Sequence, residues 1–214
     1  MNVKTPAFFS LIVILLFSSC SNSNKKTYWK NGMVKSDLHY KDGKMDGKAV
    51  WFFENGNKEQ EAFYKQNKLD GEMKRWYSTG SIESVAHYKM GKLNGKALTY
   101  DNNGNKIVEE NYINDTLDGP YKQWHPGGEI KIDGNYVKGF FNGRWMYYDI
   151  SGNIVGIGNF KMGSGIQKAW WPNGKLKRET EYKNNVKDGT EKWYNTEGLL
   201  VKTVNWEDGQ MALK

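Results

Sequence analysis

Four aspartates, each in the same sequence context, are the most obvious candidates for catalytic or metal-binding residues in this sequence. Asp46, Asp70, Asp118 and Asp188 each stand directly before a glycine, and paired carboxylates could serve a glycosidase or bind calcium. Asp-Gly is also a common turn sequence, because both residue types accept positive φ at little cost. That structural role explains the four aspartates more simply, so no catalytic residue is predicted among them.

Three histidines are the other candidates for acid–base or metal chemistry. His39 and His87 occupy equivalent positions of a repeat described below, four strands apart, which corresponds to about 19 Å across a β-sheet. Side chains at that separation cannot share a metal ion, and His125 stands at a different repeat position. No metal site and no cofactor are therefore expected.

The single cysteine, Cys20, and the residues before it predict where in the cell the protein is located. An apolar run at residues 7–17 follows Lys4, and as a helix it would reach only about 16 Å, roughly half of the hydrocarbon core of a bilayer. Such a run is typical of a secretory signal. It ends in FSSC, and small residues before a lone cysteine resemble the lipobox of bacterial lipoproteins, in which the signal is cut before a cysteine that carries a diacylglycerol.

The lipobox resemblance implies a division of the chain and a location. It implies a signal peptide at residues 1–19, lipid attachment at Cys20 with a flexible tether over residues 20–26, and a repeat domain at residues 27–214. The membrane is then a partner through the lipid anchor. Ser21 after the cysteine resembles outer-membrane sorting in Gram-negative bacteria. An ordinary cleaved signal and an uncleaved anchor or buried helix are the alternatives.

The composition predicts β-structure. The chain of 214 residues has 14% aromatic residues and 24 glycines, but only 38% hydrophobic residues in total. Few aliphatic residues with many aromatic residues and glycines favour short strands joined by tight turns. The formal net charge is +7 with both signs interspersed, which favours a mixed solvated surface over an anion-binding patch. The export signal argues further against a nucleic-acid partner.

A repeat of 24 residues covers the chain after residue 26. One glycine per unit recurs at intervals of 24 residues, with a single interval of 22. An aromatic residue stands four residues before each of these glycines, and another stands eight residues after it, without exception. These hairpin glycines, which define eight repeats, are Gly32, Gly56, Gly80, Gly104, Gly128, Gly152, Gly174 and Gly198.

Each repeat predicts two strands and two turns. The first turn contains the hairpin glycine. The second lies between repeats, where a residue that tolerates left-handed backbone, such as Gly43 or Asn67, stands three residues after the later aromatic residue. Four residues further on, an Asp-Gly or Asn-Gly pair such as Asp46-Gly47 is also a strong turn signal. No window after residue 26 has a sustained helical period. The predicted fold is all-β, an elongated single-sheet antiparallel β-meander of eight tandem β-hairpins. The front tether and the tail at residues 210–214 are expected to cap the open edges of this sheet.

The repeat resembles a known family. The consensus Y-x-x-G-x-x-[DN]-G-x-x-x-x-[WYF]-x-x-x-G, visible in WFFENGNKEQEAFYKQNKLDG, closely resembles MORN repeats, specifically the bacterial variant in which an aromatic-x-x-Asn-Gly hairpin follows each Asp-Gly pair. The resemblance implies a long β-meander that is a scaffold for protein or lipid contacts. It carries no shared catalytic motif. Some bacterial relatives are labelled as antitoxins.

Aromatic side chains at positions that the repeat leaves variable are the candidate ligand-binding residues. They flank the first aromatic position of a repeat, on the opposite face of the strand. Such rings could stack on sugars or anchor a protein partner, or they could cover the back of a sheet that is one layer thick. The candidates are Trp29, Trp51, Phe53, Tyr77, Trp171 and Trp193.

The sequence therefore favours a non-enzymatic repeat scaffold, anchored at the cell envelope, that binds a protein, glycan or lipid-headgroup partner. One alternative is an antitoxin or immunity protein of a bacterial toxin pair. The other is an enzyme that acts on envelope polysaccharide, with a carboxylate pair among the variable residues.

Overall fold

The computed structural model describes residues 21–212, and its regular secondary structure is entirely β-strand. The predicted signal peptide and Cys20 lie outside these residues. Within them, no helix is long and apolar enough to cross a membrane. The strands are β1 (Asn22–Tyr28), β2 (Val34–Lys41), β3 (Lys44–Phe52), β4 (Lys58–Lys65), β5 (Lys68–Trp76), β6 (Ile82–Lys89), β7 (Lys92–Tyr100), β8 (Lys106–Ile113), β9 (Thr116–Leu117), β10 (Gly119–Trp124), β11 (Ile130–Val137), β12 (Phe140–Phe141), β13 (Gly143–Tyr148), β14 (Ile154–Lys161), β15 (Ser164–Trp170), β16 (Leu176–Lys183), β17 (Val186–Tyr194), β18 (Leu200–Glu207) and β19 (Gln210–Met211).

The strands form one antiparallel sheet in chain order. Apart from the short strands β9 and β12, each strand pairs with the next one along the chain, from β1–β2 to β18–β19. Strands β9 and β10 both pair with β8, one after the other along its length. In the same way, β12 and β13 both pair with β11. The predicted single-sheet β-meander is confirmed.

The hairpin glycines close the eight predicted hairpins. In the first, the N–H of Trp29 donates to the carbonyl of Met33 at 2.8 Å, and the N–H of Gly32 donates to the carbonyl of Trp29 at 3.0 Å. The same two bonds recur at all eight hairpin glycines. Gly32 has φ of 85°, a backbone conformation that other residues adopt only at a cost.

The second turn is a two-residue loop, and it lies at the first of its two predicted positions, three residues after the later aromatic residue of each repeat. Both residues have positive φ, between 45° and 88°, which defines the type I′ turn that suits a twisted hairpin. The turns, here called tip turns, are Asp42-Gly43, Gln66-Asn67, Met90-Gly91, Asn114-Asp115, Lys138-Gly139, Met162-Gly163, Asn184-Asn185 and Asp208-Gly209.

The prediction that Asp-Gly and Asn-Gly pairs form turns is wrong, because they are bulges next to the tip turns. Opposite β4, the pairing passes from Ala62–Met73 directly to Tyr64–Leu69, and Gly71 in the extra segment has φ of 127°. The carboxylate before the bulge glycine holds the next tip turn, as where Asp46 Oδ2 accepts the N–H of Gln66 at 3.2 Å. The predicted positive φ is confirmed only for the glycine of each pair, and a tip turn already reverses the chain.

The sixth repeat lacks two residues, and the missing residues are those of the bulge. Strands β14 and β15 pair without a register shift from Gly156–Ala169 to Lys161–Ser164. The tip turns on either side then meet across this short repeat. Asn185 Nδ2 donates to the carbonyl of Gly139 at 2.7 Å, and Asn185 Oδ1 accepts the N–H of Phe141 at 2.8 Å.

The predicted flexible tether at residues 20–26 is also corrected, because the chain is a strand from Asn22 onward. β1 pairs in register with β2, from Asn22–Lys41 to Tyr28–Val34. Backbone hydrogen bonding to the free side of β2 explains the ordering, since an open edge is a ready template for a strand. β1 is therefore the edge of the sheet, and the tail adds only two residue pairs, Trp206–Met211 and Glu207–Gln210.

One face of the sheet contains nearly all of the buried side chains. Residues directly opposite each other in an antiparallel pair share a face, so the registers trace this buried face from Leu38 on β2 to Val204 on β18. Of the nine buried residues with a side chain, only Val50 lies on the other, open face. The eight on the buried face are Ser36, Ala49, Ala62, Trp145, Phe160, Thr180, Glu191 and Val204.

An aromatic cluster around Trp145 is the densest part of the buried face. Trp145 is 3% exposed, and its ring centroid lies 5.0 Å from that of Tyr136 and 4.7 Å from that of Phe141. A Cβ atom at Gly134 would lie only 2.3 Å from a Trp145 ring carbon, so the ring lies directly over this glycine. The indole Nε1 donates to the carbonyl of Asn135 at 3.1 Å.

A buried carboxylate lies further along the same face. Glu191 is 2% exposed and accepts hydrogen bonds from Lys187 Nζ at 2.8 Å, Trp206 Nε1 at 3.1 Å and Thr180 Oγ1 at 3.2 Å. Arg178 adds an ion pair at 3.9 Å. Every oxygen of this carboxylate is hydrogen-bonded, which makes it a structural centre between β16, β17 and β18.

Candidate functional site

Three of the six candidate aromatic residues hold neighbouring hairpins together. They stand three residues before a hairpin glycine in the odd-numbered repeats. Trp29 Nε1 donates to the carbonyl of Phe52 at 3.0 Å, Tyr77 OH to that of Tyr100 at 2.8 Å, and Trp171 Nε1 to that of Tyr194 at 3.1 Å. His125 Nε2 lies 3.0 Å from the carbonyl of Tyr148 in the same way. Their polar atoms therefore have structural partners.

In repeats four, six and eight the side chain at the same position, Asp101, Asp149 or Asn195, stabilises its own turn. Asp101 Oδ1 accepts the N–H groups of Asn105 at 2.8 Å and of Asn103 at 2.9 Å. The hydrogen bonds from Asn105 keep the pKa of Asp101 below its usual value. Asp149 repeats this arrangement with Asn153 at 2.9 Å. From the third repeat onward the hairpin turns thus alternate between two designs.

Two candidates, Trp171 and Trp193, come together in an open cleft between repeats six and eight. The cleft has a volume of 530 Å³ and lies at the hairpin-turn edge of the buried face. β15, β16 and β17 position its walls, because the register places Arg178 opposite both Ala169 and Trp193. The side chains that define this cleft, here called the tryptophan cleft, are Asp149, Trp170, Trp171, Lys177, Arg178 and Trp193.

A cationic side chain lies over each of these two indole rings. Lys177 Nζ lies 4.3 Å from the ring centroid of Trp171, and Arg178 Cζ lies 5.1 Å from that of Trp193. Such contacts hold a positive charge over an aromatic face. Arg178 also faces Glu191, whereas in the described part of the chain Lys177 has no carboxylate within ion-pair distance. The cleft therefore combines flat apolar walls with an ammonium group that makes no ion pair with any of the described residues.

The other candidates lie in the first three repeats, away from the tryptophan cleft. The ring of Trp51 lies on the buried face, 6.2 Å from that of Tyr64. Phe53 is half-buried and closes its own turn through its N–H, which donates to Asn57 at 2.8 Å. Ligand binding by all six residues stays a prediction.

Sequence reasoning missed the two cationic residues of the cleft. A signal was present, because Lys177 stands three residues after its hairpin glycine, and Lys35 stands at the same position in the first repeat. Lys35 Nζ lies 4.5 Å from the ring centroid of Trp29. The pair of tryptophan and lysine six residues apart marks this contact in the sequence.

The histidines are placed by the fold. A Cβ atom on the bulge glycine Gly47 would lie 3.4 Å from Cβ of His39, and one on Gly95 would lie 3.3 Å from Cβ of His87. Both histidines therefore pack across bulges. Among residues 21–212, no group of three or more His, Cys, Asp or Glu side chains could hold a metal ion.

Two carboxyl groups that lie close to lysine side chains, Glu109 and Glu191, have a lowered pKa. A general acid needs a raised pKa. The hydrogen bond from Lys96 instead lowers the pKa of Glu109. At Glu191, burial acts to raise the pKa, but the hydrogen bonds and charge of Lys187, Trp206 and Thr180 outweigh it and leave the pKa lowered. Both carboxylates are held ionised by their partners.

Comparison with known families identifies the repeat. The MORN repeat variant matches residues 24–42, 45–66, 69–90, 93–114, 117–138 and 164–184, more than half of the chain. Two further hairpins, β13–β14 and β17–β18, lie outside these matches, but the pairs Gly143–Phe160 and Gly189–Trp206 repeat the register of Gly47–Tyr64. No curated protein matches the chain significantly.

Proposed function

Because the chain belongs to the MORN repeat variant family, whose repeats commonly act as protein- or lipid-binding modules, we propose that it is a non-enzymatic scaffold, anchored at the cell envelope, that binds a protein partner. The observation that supports this proposal is the tryptophan cleft, where Trp171 and Trp193 form rigid walls under Lys177 and Arg178. Aromatic and arginine side chains in one pocket are typical of protein-binding surfaces. The partner segment is expected to present an acidic residue next to an apolar one.

A protein segment fits this cleft better than a glycan does. Sugars bind tryptophan by stacking on the face of the indole, and here Lys177 and Arg178 cover an indole face of Trp171 and Trp193. A neutral sugar would have to displace a cation from the ring. An acidic side chain can instead pair with Lys177 while the cation–π contact is kept.

The cleft can be tested with a charge reversal. Lys177→Glu is expected to weaken retention of the envelope partner at least tenfold, because it replaces the cation with a second carboxylate in the cleft that Asp149 also lines. Lys35→Glu is the matched control, since it changes the equivalent lysine over Trp29 in the first repeat. Retention on immobilised chain would be compared by quantitative mass spectrometry of envelope extracts. Equal retention by Lys177→Glu and the unaltered chain would contradict a role for the cleft.

The envelope anchor is the second part of the proposal. Strand β1 starts at Asn22, so a lipid on Cys20 would hold the first strand of the sheet within a few residues of the membrane surface. Two or three acyl chains bind a membrane far more firmly than one, since each buried CH₂ contributes about 0.8 kcal/mol.

The anchor can be tested by metabolic labelling. Cells that express the full chain with a fatty-acid probe are expected to yield a labelled protein in the membrane fraction. Cys20→Ala is expected to abolish the label and to release the protein from that fraction. Cys20→Ser, which keeps a polar atom of similar size, is expected to behave like Cys20→Ala. Equal label on the unaltered chain and on Cys20→Ala would refute the lipid anchor.

A further inference from the structure

Both ends of the sheet leave strand edges without a partner in the described part of the chain. β1 pairs with β2 on one side and has no strand on the other. β18 pairs with β17 from Leu200 to Trp206, but with β19 only at Trp206 and Glu207. Among residues 21–212, the outer backbone groups of Leu200–Val204 therefore have no strand partner. An open edge is a template for pairing with another chain.

The side chains at the two ends are exposed because a neighbouring hairpin is missing. Tyr28 is 60% exposed, whereas the aromatic residues at the same position of the seven later repeats are half-buried. At the other end Val201 is 62% exposed, and its counterparts Ile107 and Val155 are half-buried. Within the sheet the corresponding contact crosses between repeats, as where Lys58 Nζ lies 5.3 Å from the Trp76 ring centroid.

The two ends also carry opposite charge. Residues 22–44 contain six lysines and two aspartates, so the N-terminal end is basic. Residues 187–212 contain three lysines and five carboxylates, so the C-terminal end is acidic. Complementary charge favours contact between different ends and disfavours contact between two like ends.

We propose that copies of this chain associate head to tail, with β1 of one copy pairing antiparallel with β18 of the next. The internal junction β16–β17, which pairs Arg178 with Trp193 and Thr180 with Glu191, supplies the register. At equivalent positions Thr27 lies opposite Lys202 and Lys25 lies opposite Val204. Tyr28 then covers the exposed Leu200 and Val201. β19 and Ala212 lie along β18 from Asn205 to Glu207, so residues 22–24 of the incoming β1 must displace this short tail.

The geometry determines the form of the assembly. The two contacting surfaces differ, so each added copy presents a new free end, and the product is an open filament unless the ends meet. A ladder of about five residue pairs is much smaller than a standard protein interface, so each contact is weak in dilute solution. Confinement of the chains to a surface would strengthen association by raising their local concentration.

Disulfide trapping tests the register directly. Thr27→Cys and Lys202→Cys are made separately in the full-length Cys20→Ser chain. The predicted pair is not hydrogen-bonded, with Cα atoms about 4.5 Å apart, which a disulfide can span. Oxidation of the mixture is expected to give covalent dimers, while each variant alone stays monomeric. Dimers of Lys202→Cys alone would indicate pairing between two β18 edges and overturn the proposal, as would a mixture without dimers.

A proline on the edge provides an independent measurement. The carbonyl of Asn205 accepts the N–H of Ala212 at 2.9 Å and so points outward, and by the strand alternation the N–H of Thr203 points outward too. Thr203→Pro removes this donor without touching the ladder to β17. Sedimentation velocity is expected to show association of the Cys20→Ser chain and of Thr203→Val at high concentration, but not of Thr203→Pro. Association of Thr203→Pro at the same concentration would overturn the proposal.

Discussion

Trp145→Ala is expected to lower the free energy of unfolding by about 3–5 kcal/mol, the usual range for truncating a buried tryptophan. Trp145 is 3% exposed and lies at the centre of the aromatic cluster on the buried face. Its removal would leave a cavity next to Tyr136 and Phe141, whose ring centroids lie 5.0 Å and 4.7 Å away. Chemical denaturation followed by far-UV circular dichroism would measure the loss without relying on tryptophan fluorescence.

A second substitution shows whether the loss comes from the contact between Trp145 and Gly134. Gly134→Ala alone should destabilise the chain, because its Cβ atom would lie 2.3 Å from the Trp145 ring. In the Trp145→Ala background the same methyl group has free space and is expected to cost less or to stabilise. A double-mutant cycle measures this coupling. Additive effects of the two substitutions would contradict the packing described above.

Glu191→Ala is expected to destabilise the chain by about 3 kcal/mol, the lower end of the range for breaking a buried ion pair. The substitution removes the partner of Lys187 and leaves Thr180 Oγ1 and Trp206 Nε1 without their acceptor. Glu191→Gln keeps an oxygen acceptor of the same shape and loses the charge, so it is expected to cost less. Denaturation at neutral pH would compare the three chains, and a neutral effect of Glu191→Ala would contradict a structural role.

The contribution of Glu191 is expected to depend on pH with a definite sign. Its pKa is lowered in the folded chain, because Lys187, Trp206 and Thr180 outweigh the effect of burial. A lowered pKa gives stability that is present above the unfolded pKa and is lost as pH falls through the folded value. The difference in unfolding free energy between the unaltered chain and Glu191→Gln should therefore shrink below the usual pKa range of glutamate. A difference that grows on acidification would show that the assignment is wrong.

The hairpin turns were predictable because a single residue decides each of them. Each hairpin turn needs a residue with positive φ, which is the hairpin glycine. The 24-residue spacing of these glycines therefore predicts the number and the order of the hairpins. The tip turns were predicted less sharply, because two positions four residues apart both carried a turn signal. Asp-Gly is a stronger turn sequence than Gln-Asn or Lys-Gly. Nevertheless, Gln66-Asn67 and Lys138-Gly139 form tip turns, whereas Asp46-Gly47 forms a bulge. The register against both neighbouring strands decides between the two positions, and a local pattern does not contain it.

The candidate site was only partly predictable for a related reason. Trp171 and Trp193 were recognisable as aromatic residues at variable positions, but the carbonyl of Tyr194 that binds Trp171 Nε1 belongs to the next repeat. The contact between Arg178 and Trp193 likewise joins two strands. The repeat pattern shows which residue types recur. It does not show which strands become neighbours, and these contacts depend on that. The strand at Asn22 escaped prediction similarly, because its polar side chains give no signal and its pairing comes from the backbone.

Each hairpin contacts almost only its neighbours, and this affects how the chain folds. Nearly every strand contact links segments about one repeat apart, so little chain entropy is lost before a contact forms. Folding can start at any hairpin and spread in both directions, and the terminal strands fray first. The bonds from Asn185 to Gly139 and Phe141 reach across two repeats. They couple the fifth and seventh units, so this segment unfolds more cooperatively than the units before it.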